Sequence, residues 1–180
     1  MIKFIKDIYN FCRLKKNESS YKIGFFSENN FIFEYLEPYI LNKLKKTKVL
    51  ILSFEKIEIN TIDKNAIFVF HTNFFRELVF LTIRLKFLYS STPDLNRTIF
   101  KKSKFSKCKY IYLHHSPVSL TLIYLPDAFN DFDAVQAIST YQFEEMKEIV
   151  SKNKLNTKIF KSKYLFVEKQ IKKNKMNNLF

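Results

Sequence analysis

The sequence has one glycine, four prolines and no tryptophan among 180 residues. A single glycine excludes the phosphate-binding loop of P-loop proteins and the dinucleotide-binding fingerprint, because each motif needs several glycines. The sequence also lacks an HExxH motif, a CxxC pair and a G-x-S-x-G elbow. These absences remove the usual signatures of zinc proteases, of zinc or redox sites and of α/β-hydrolases.

Cysteine and long apolar segments are scarce as well. Cys12 and Cys108 lie far apart and lack metal-ligand spacing, so we expect two free thiols in a reducing compartment. No run of 18 apolar residues is present, and charged residues interrupt the opening segment MIKFIKDIYNF where a signal peptide would be continuously apolar. We therefore expect a cytoplasmic protein, with a peripheral position on the inner face of the membrane left open.

Acidic residues are outnumbered by basic ones, 17 against 31, which gives a formal net charge of +14. Such an excess favours polyanionic partners, namely nucleic acid, anionic lipid or phosphorylated substrates. The richness in Lys, Asn, Ile and Phe is also typical of an AT-rich genome, so functional and compositional origins of the charge both stay open. Interleaved lysines and aromatics are typical of single-strand binders. However, most of the 21 Phe must lie in a core, which makes nucleic acid a minor alternative.

Short continuous apolar runs alternate with segments of helical periodicity. Continuous apolar strands are typical of a parallel sheet buried on both faces. The predicted strands are 21–28, 49–54, 66–71, 88–91, 110–115, 134–139 and 157–162. The predicted helices between them are 31–46, 74–86, 119–124 and 141–152. The pattern predicts an α/β fold, a three-layer Rossmann-like parallel sheet over 21–167, followed by a basic tail at 168–180.

An amphipathic helix is predicted in residues 1–20. Its apolar side chains at helical spacing are Ile2, Ile5, Ile8, Tyr9 and Cys12. We expect this stripe to pack on the domain, and the second interpretation is a basic helix lying on a membrane surface.

Polar residues stand at the carboxyl ends of four of the predicted strands, at 27–28, 71–73, 91–94 and 114–116. Ligands of open α/β sheets bind at the carboxyl ends of the strands. His114 and His115 are neighbours, so at most one of them is expected to face a given cleft. His115 is placed to take a proton from a hydroxyl, and the start of the next helix to hold a phosphate oxygen. The alternative for this histidine is a structural hydrogen-bonding role.

Read in order, three segments carry a resemblance to a known family. They are IGFFSEN, TPDLNRTIFKKSK and YIYLHHSPVSLTLIYLPDAFNDFDAVQAIS. Together they resemble the CDP-glycerol glycerophosphotransferases of teichoic-acid-type polymer synthesis over most of residues 21–165. In that family a Ser-Glu pair, a Thr-Pro segment, a basic stretch and a His-Ser pair follow in this order.

The resemblance implies one half of a glycosyltransferase-B-like architecture, on the acceptor side of the cleft. It implies transfer of glycerol phosphate from CDP-glycerol to a hydroxyl of a cell-surface polymer or lipid-linked acceptor, with His115 as the catalytic base. No metal and no cofactor are implied, since CDP-glycerol is the donor substrate. The residues expected to bind acceptor or phosphate are Ser27, Glu28, Thr92, Lys101, Lys102, Lys104, Ser116 and Ser119.

The sequence departs from the family at residues 163–165, where Lys-Tyr-Leu stands in place of Gly-Tyr-Pro. On this resemblance the half that binds CDP-glycerol is not among the 180 residues. We therefore expect these residues to be inactive alone, with a second-half chain as a candidate partner. The alternative is a non-catalytic module that binds an acidic polymer, an anionic membrane surface or a partner chain.

Overall fold

The computed structural model describes residues 1–57, 62, 63, 66–95, 102 and 106–177. Seven strands are found among them: β1 (Ile23–Ser27), β2 (Val49–Ser53), β3 (Ile67–Val69), β4 (Phe87–Ser90), β5 (Lys109–Tyr112), β6 (Ala134–Ala137) and β7 (Lys158–Lys161). Six α-helices accompany them: α1 (Ile2–Asn17), α2 (Asn30–Leu44), α3 (Asn73–Thr82), α4 (Leu120–Ile123), α5 (Thr140–Lys152) and α6 (Leu165–Asn177).

All strand pairs of the sheet are parallel, in the order β3-β2-β1-β4-β5-β6-β7. Successive side chains of a strand point to opposite faces, and both faces are buried. Phe26 of β1 lies in one core with residues of α1, α3, α4 and α5, whereas Phe25 lies in a second core with α2. This arrangement confirms the predicted Rossmann-like fold and explains why its strands are continuously apolar.

Gly24, the one glycine, is the second residue of β1 and lies between β2 and β4. A Cβ atom at this position would stand 2.4 Å from Cδ1 of Leu85 and 3.2 Å from Cδ1 of Leu88. The pairing of β1 runs without a bulge. Gly24 therefore serves the close approach of the Leu85 side chain to the sheet.

The helix α2 begins one residue before its predicted start, and Oδ1 of Asn29 caps it by accepting a hydrogen bond of 2.9 Å from the amide of Ile32. The segment predicted as a basic tail differs, since residues 165–177 form α6. Phe166 of α6 packs on Tyr35 of α2 with ring centroids 4.5 Å apart, and Lys169 pairs with Glu37. These contacts with α2 hold the lysine-rich segment against the domain.

The helix α1 packs on the domain through a face other than the predicted stripe. Its buried residues are Asp7 and Leu14, while the side chains from Ile2 to Cys12 that form the stripe are exposed. The Asp7 carboxylate accepts hydrogen bonds from the amides of His71 and Thr72, at 2.9 and 2.7 Å, and from the Thr72 hydroxyl at 2.6 Å. A polar anchor at the start of α3, favoured by the helix dipole, therefore sets the orientation of α1.

The same helix covers one edge of the sheet. Nδ2 of Asn10 donates to the carbonyl of Val69 at 2.8 Å, and the guanidinium of Arg13 donates to the carbonyl of Ile67 at 2.7 Å. Both carbonyls belong to β3, whose outer side has no neighbouring strand among the described residues. The opposite edge strand, β7, presents the exposed side chains of Lys158 and Lys161.

Replacing Asp7 by alanine should lower the free energy of unfolding by about 2–4 kcal/mol, because three donors lose a charged acceptor in a buried place. Asp7→Asn should cost less, since its amide oxygen still accepts one of the backbone bonds. Urea unfolding of both variants measures the difference. A loss below about 1 kcal/mol for Asp7→Ala would mean that water replaces the carboxylate there.

Cys12 is exposed and Cys108 is buried, and the two are free thiols as predicted. Burial raises the pKa of the Cys108 thiol to about 12, so it stays protonated. Among the helices of the described part of the chain, none combines the length and the apolar character needed to cross a bilayer.

Candidate functional site

The strand order reverses its direction between β1 and β4. From β1 the chain proceeds to β2 and β3 on one side, and then returns to place β4 and the later strands on the other side. Connections that diverge from two adjacent strands leave a crevice beyond their carboxyl ends, which is where open α/β sheets bind ligands. Ser27 ends β1 and Glu28 follows it here, while Ser91 and Thr92 follow β4.

Glu28 and Arg76 give this crevice its charge. Burial raises the pKa of Glu28, against the opposing effects of the nearby Thr92 side chain and of the Arg76 charge. Nε of Arg76 donates to the carbonyl of Phe70 at 3.0 Å, and the guanidinium lies 4.1 Å from the ring centroid of Phe54. Burial also lowers the pKa of Arg76, opposed by the charges of nearby carboxylates. The partly buried guanidinium of Arg76 thus lies near the carboxyl group of Glu28, whose pKa is raised.

His115 lies one strand further along, beyond the end of β5. Its ring is half-buried, 5.7 Å from the ring centroid of Tyr35, and its carbonyl accepts a hydrogen bond from the Tyr164 hydroxyl. Burial lowers the pKa of His115, with the nearby Ser91 backbone acting in the other direction. Its Nδ1 is shielded from solvent and has no hydrogen-bond partner within the described part of the chain. The imidazole is therefore neutral at neutral pH and able to accept a proton.

His114 lies on the other face, inside an aromatic cage. Its ring centroid is 4.7 Å from that of Tyr112, 6.1 Å from Tyr124 and 6.0 Å from Phe129. Burial lowers its pKa to about 3, aided by His115 and opposed by Glu145. Neither ring nitrogen has a partner among the residues described. The two histidines therefore point to different faces, as their adjacency predicts, and His114 belongs to the core.

The start of α4 is occupied by a carboxylate of the protein itself. Glu145 accepts hydrogen bonds from the Ser119 hydroxyl at 2.6 Å, the Leu120 amide at 2.8 Å and the Thr121 hydroxyl at 2.9 Å. Burial of Glu145 acts to raise its pKa, but these bonds outweigh it and the pKa is lowered. A phosphate expected at this helix start would meet a negative charge. The helix, with four residues, is also short.

Of the three lysines expected to bind phosphate, the structure describes Lys102, and this lysine does not lie at the crevice. Lys102 pairs with Asp133, which also accepts from Lys109 at 3.0 Å and from the Tyr110 amide at 2.8 Å. These groups stand at the amino end of β5, about 20 Å of strand from His115. Lys101 and Lys104 lie outside the described residues. The resemblance assigns these lysines and His115 to one site, whereas the fold separates Lys102 from His115.

Ser27 and Ser116 lie at the carboxyl edge, although both are engaged in the fold. The Ser27 hydroxyl donates to the carbonyl of Asn29 at 2.9 Å. The carbonyl of Ser116 accepts a hydrogen bond of 3.0 Å from Nε2 of Gln142. The predicted residues that line the crevice or its rim are thus Glu28, Thr92 and His115, and sequence reasoning missed Arg76. Its signal was its place in the first turn of the helix that follows the polar cluster at 71–73.

Over the described residues, no cluster of histidine, cysteine, aspartate or glutamate side chains is arranged to hold a metal ion. Comparison with protein-family models, with curated proteins and with solved structures finds no match for this chain.

Proposed function

We propose that this domain is the acceptor-side half of a transferase similar to the CDP-glycerol glycerophosphotransferases. It binds a polyol-phosphate or lipid-linked acceptor at the crevice between β1 and β4, at the inner face of the membrane. The observation that supports this most is a neutral, half-buried His115 beside a crevice that carries Glu28, Thr92 and Arg76. A base, a hydrogen-bonding acceptor and a cation suit a substrate with both hydroxyl and phosphate groups.

In the proposed reaction the imidazole of His115 takes the proton of an acceptor hydroxyl. The hydroxyl oxygen forms a bond to the glycerol-bearing phosphorus of CDP-glycerol, and the bond from that phosphorus to the bridging oxygen breaks. CMP leaves with the electron pair. Arg76 balances phosphate charge, and Glu28 accepts a hydrogen bond from a hydroxyl of the acceptor. Such transfer depends mainly on positioning and on charge compensation, so a donor-binding half has to complete the cleft.

An NMR titration of the isotope-labelled protein with a short poly(glycerol phosphate) tests where the acceptor binds. We expect shift changes concentrated at the amides around Glu28, Thr92 and Ser116. Arg76→Gln should weaken binding about tenfold or more, because it removes a charged hydrogen bond to phosphate. Arg84→Gln, at an exposed arginine that follows α3, is the matched control and should bind normally.

The second candidate is the binding module, which the formal net charge of +14 favours. In that case the shift changes would spread over the lysine-rich surface, Arg76→Gln and Arg84→Gln would weaken binding equally, and affinity would fall steeply with salt. That pattern would overturn the crevice as the acceptor site.

A further inference from the structure

The outward face of α1 is apolar. Ile2, Ile5 and Tyr9 are 70%, 58% and 67% exposed, and Ile8 and Cys12 are exposed beside them. These residues repeat at helical spacing, while the anchored face with Asp7 and Leu14 points the other way. The apolar stripe of α1 is therefore exposed to solvent. A contiguous exposed apolar surface of this kind marks an interaction site.

The apolar surface continues onto α3. The ring centroid of Phe4 lies 6.4 Å from that of Phe74, which is 60% exposed. Leu81, two helical turns from Phe74, is exposed on the same side of α3. We name this surface the α1–α3 face, made of Ile2, Phe4, Ile5, Ile8, Tyr9, Cys12, Phe74 and Leu81.

Positive charge accompanies the α1–α3 face. Lys3, Lys6 and Lys16 of α1 are exposed, whereas the one acidic residue of α1, Asp7, is buried at the anchor. Glu77 of α3 is exposed and offsets one of these charges. An apolar stripe with exposed lysines is the pattern of a helix that lies in the interface of an anionic bilayer.

We propose that the α1–α3 face docks the protein on an anionic lipid surface, with α1 parallel to the membrane plane. A second copy of the chain is disfavoured as the occupant, because pairing two such faces would bring the lysines of both copies together. The acidic head groups of the bilayer complement the lysines, and its acyl region accepts the stripe. This inference goes beyond the proposed transfer reaction and stands without it.

The first test uses fluorescence. Because the chain has no tryptophan, a single introduced tryptophan reports on its own surroundings. Tyr9→Trp places a single fluorescent reporter on the face, and Tyr141→Trp, at a side chain 62% exposed on α5, is the matched control. With phosphatidylglycerol vesicles we expect a blue shift for Tyr9→Trp and none for Tyr141→Trp. Phosphatidylcholine vesicles should give a much smaller shift, since the attraction to charged head groups is then missing.

The second test measures binding by co-sedimentation. Ile5→Asn combined with Ile8→Asn should lower affinity for phosphatidylglycerol vesicles about tenfold or more, because two apolar side chains no longer insert. Leu122→Asn combined with Ile123→Asn makes the same change on the exposed side of α4 and should leave affinity unchanged.

Three outcomes would overturn the proposal. Equal blue shifts for both reporters, or equal losses for both Asn pairs, would mean diffuse electrostatic attachment. No shift with vesicles would mean that the face meets a protein. A blue shift of Tyr9→Trp that grows with protein concentration without vesicles would mean that a second copy covers it. CDP-glycerol and polymer are absent from these assays, so their result is independent of the transfer reaction.

Discussion

Acidification from pH 7 to about pH 4 should lower the free energy of unfolding by about 3 kcal/mol through His114 alone. The folded protein holds the pKa of this histidine at about 3, whereas its ordinary value is 6.5. Between these values the unfolded chain binds a proton that the folded protein excludes. The stabilisation is therefore complete above about pH 6.5 and is lost as the pH falls toward the folded pKa.

Urea unfolding at several pH values measures this effect, with His114→Phe as the reference. Phenylalanine keeps an aromatic ring among Tyr112, Tyr124 and Phe129 and removes the titrating group. We expect the natural protein to lose about 3 kcal/mol more than His114→Phe over this range. An NMR titration of the three histidine rings supplies a direct check. If all three rings titrate above about pH 5.5, the cage admits a charged imidazole and the prediction is wrong.

Replacing His115 by alanine should lower the rate of glycerol phosphate transfer by about 10²–10⁴-fold, the range typical of losing a general base. This result depends on the proposed function. The assay uses membranes from the source cell with the variant at the natural gene, so that any further part of the enzyme is present. Transfer is followed as label moving from CDP-glycerol into polymer, together with release of CMP.

His71→Gln is the control for this change, because His71 follows β3 at the same edge of the sheet, outside the proposed crevice. Binding of the acceptor should persist in His115→Ala, since Glu28 and Arg76 remain. Transfer that survives in His115→Ala while binding is intact would favour the non-catalytic module. A loss of binding together with transfer would instead assign His115 to holding the acceptor.

The sheet could be predicted from the sequence because burial on both faces imposes continuous apolar runs. VLILS in β2 is an example, with all five residues buried. Such local patterns do not determine the order of the strands. That order places the crevice beside Glu28 and Thr92. The face of α1 could not be predicted either. A prediction from hydrophobic periodicity assumes that the apolar stripe of a helix is buried. In α1 the hydrogen bonds of Asp7 hold the opposite face against the domain, and the apolar stripe is exposed.

The candidate site likewise contains residues that could be predicted from the sequence and one that could not. Glu28, Thr92 and His115 could be placed at the carboxyl edge of the sheet because they lie one to three residues beyond the ends of β1, β4 and β5. Arg76 could not, since its approach to Glu28 depends on how α3 packs. The resemblance to the family places Lys102 in one acceptor site with Thr92. In a parallel sheet, however, the chain must return from the end of β4 to the start of β5, which carries Lys102 to the opposite edge.

The two outer strands are protected from intermolecular pairing by different means. Asn10 and Arg13 of α1 occupy carbonyls of β3 that would otherwise be open to a strand of another molecule, and Lys158 and Lys161 place like charges along β7. Exposed strand edges are templates for aggregation, and lysine is a common safeguard against it. Part of the surplus positive charge therefore opposes pairing of the β7 edge with a strand of another molecule.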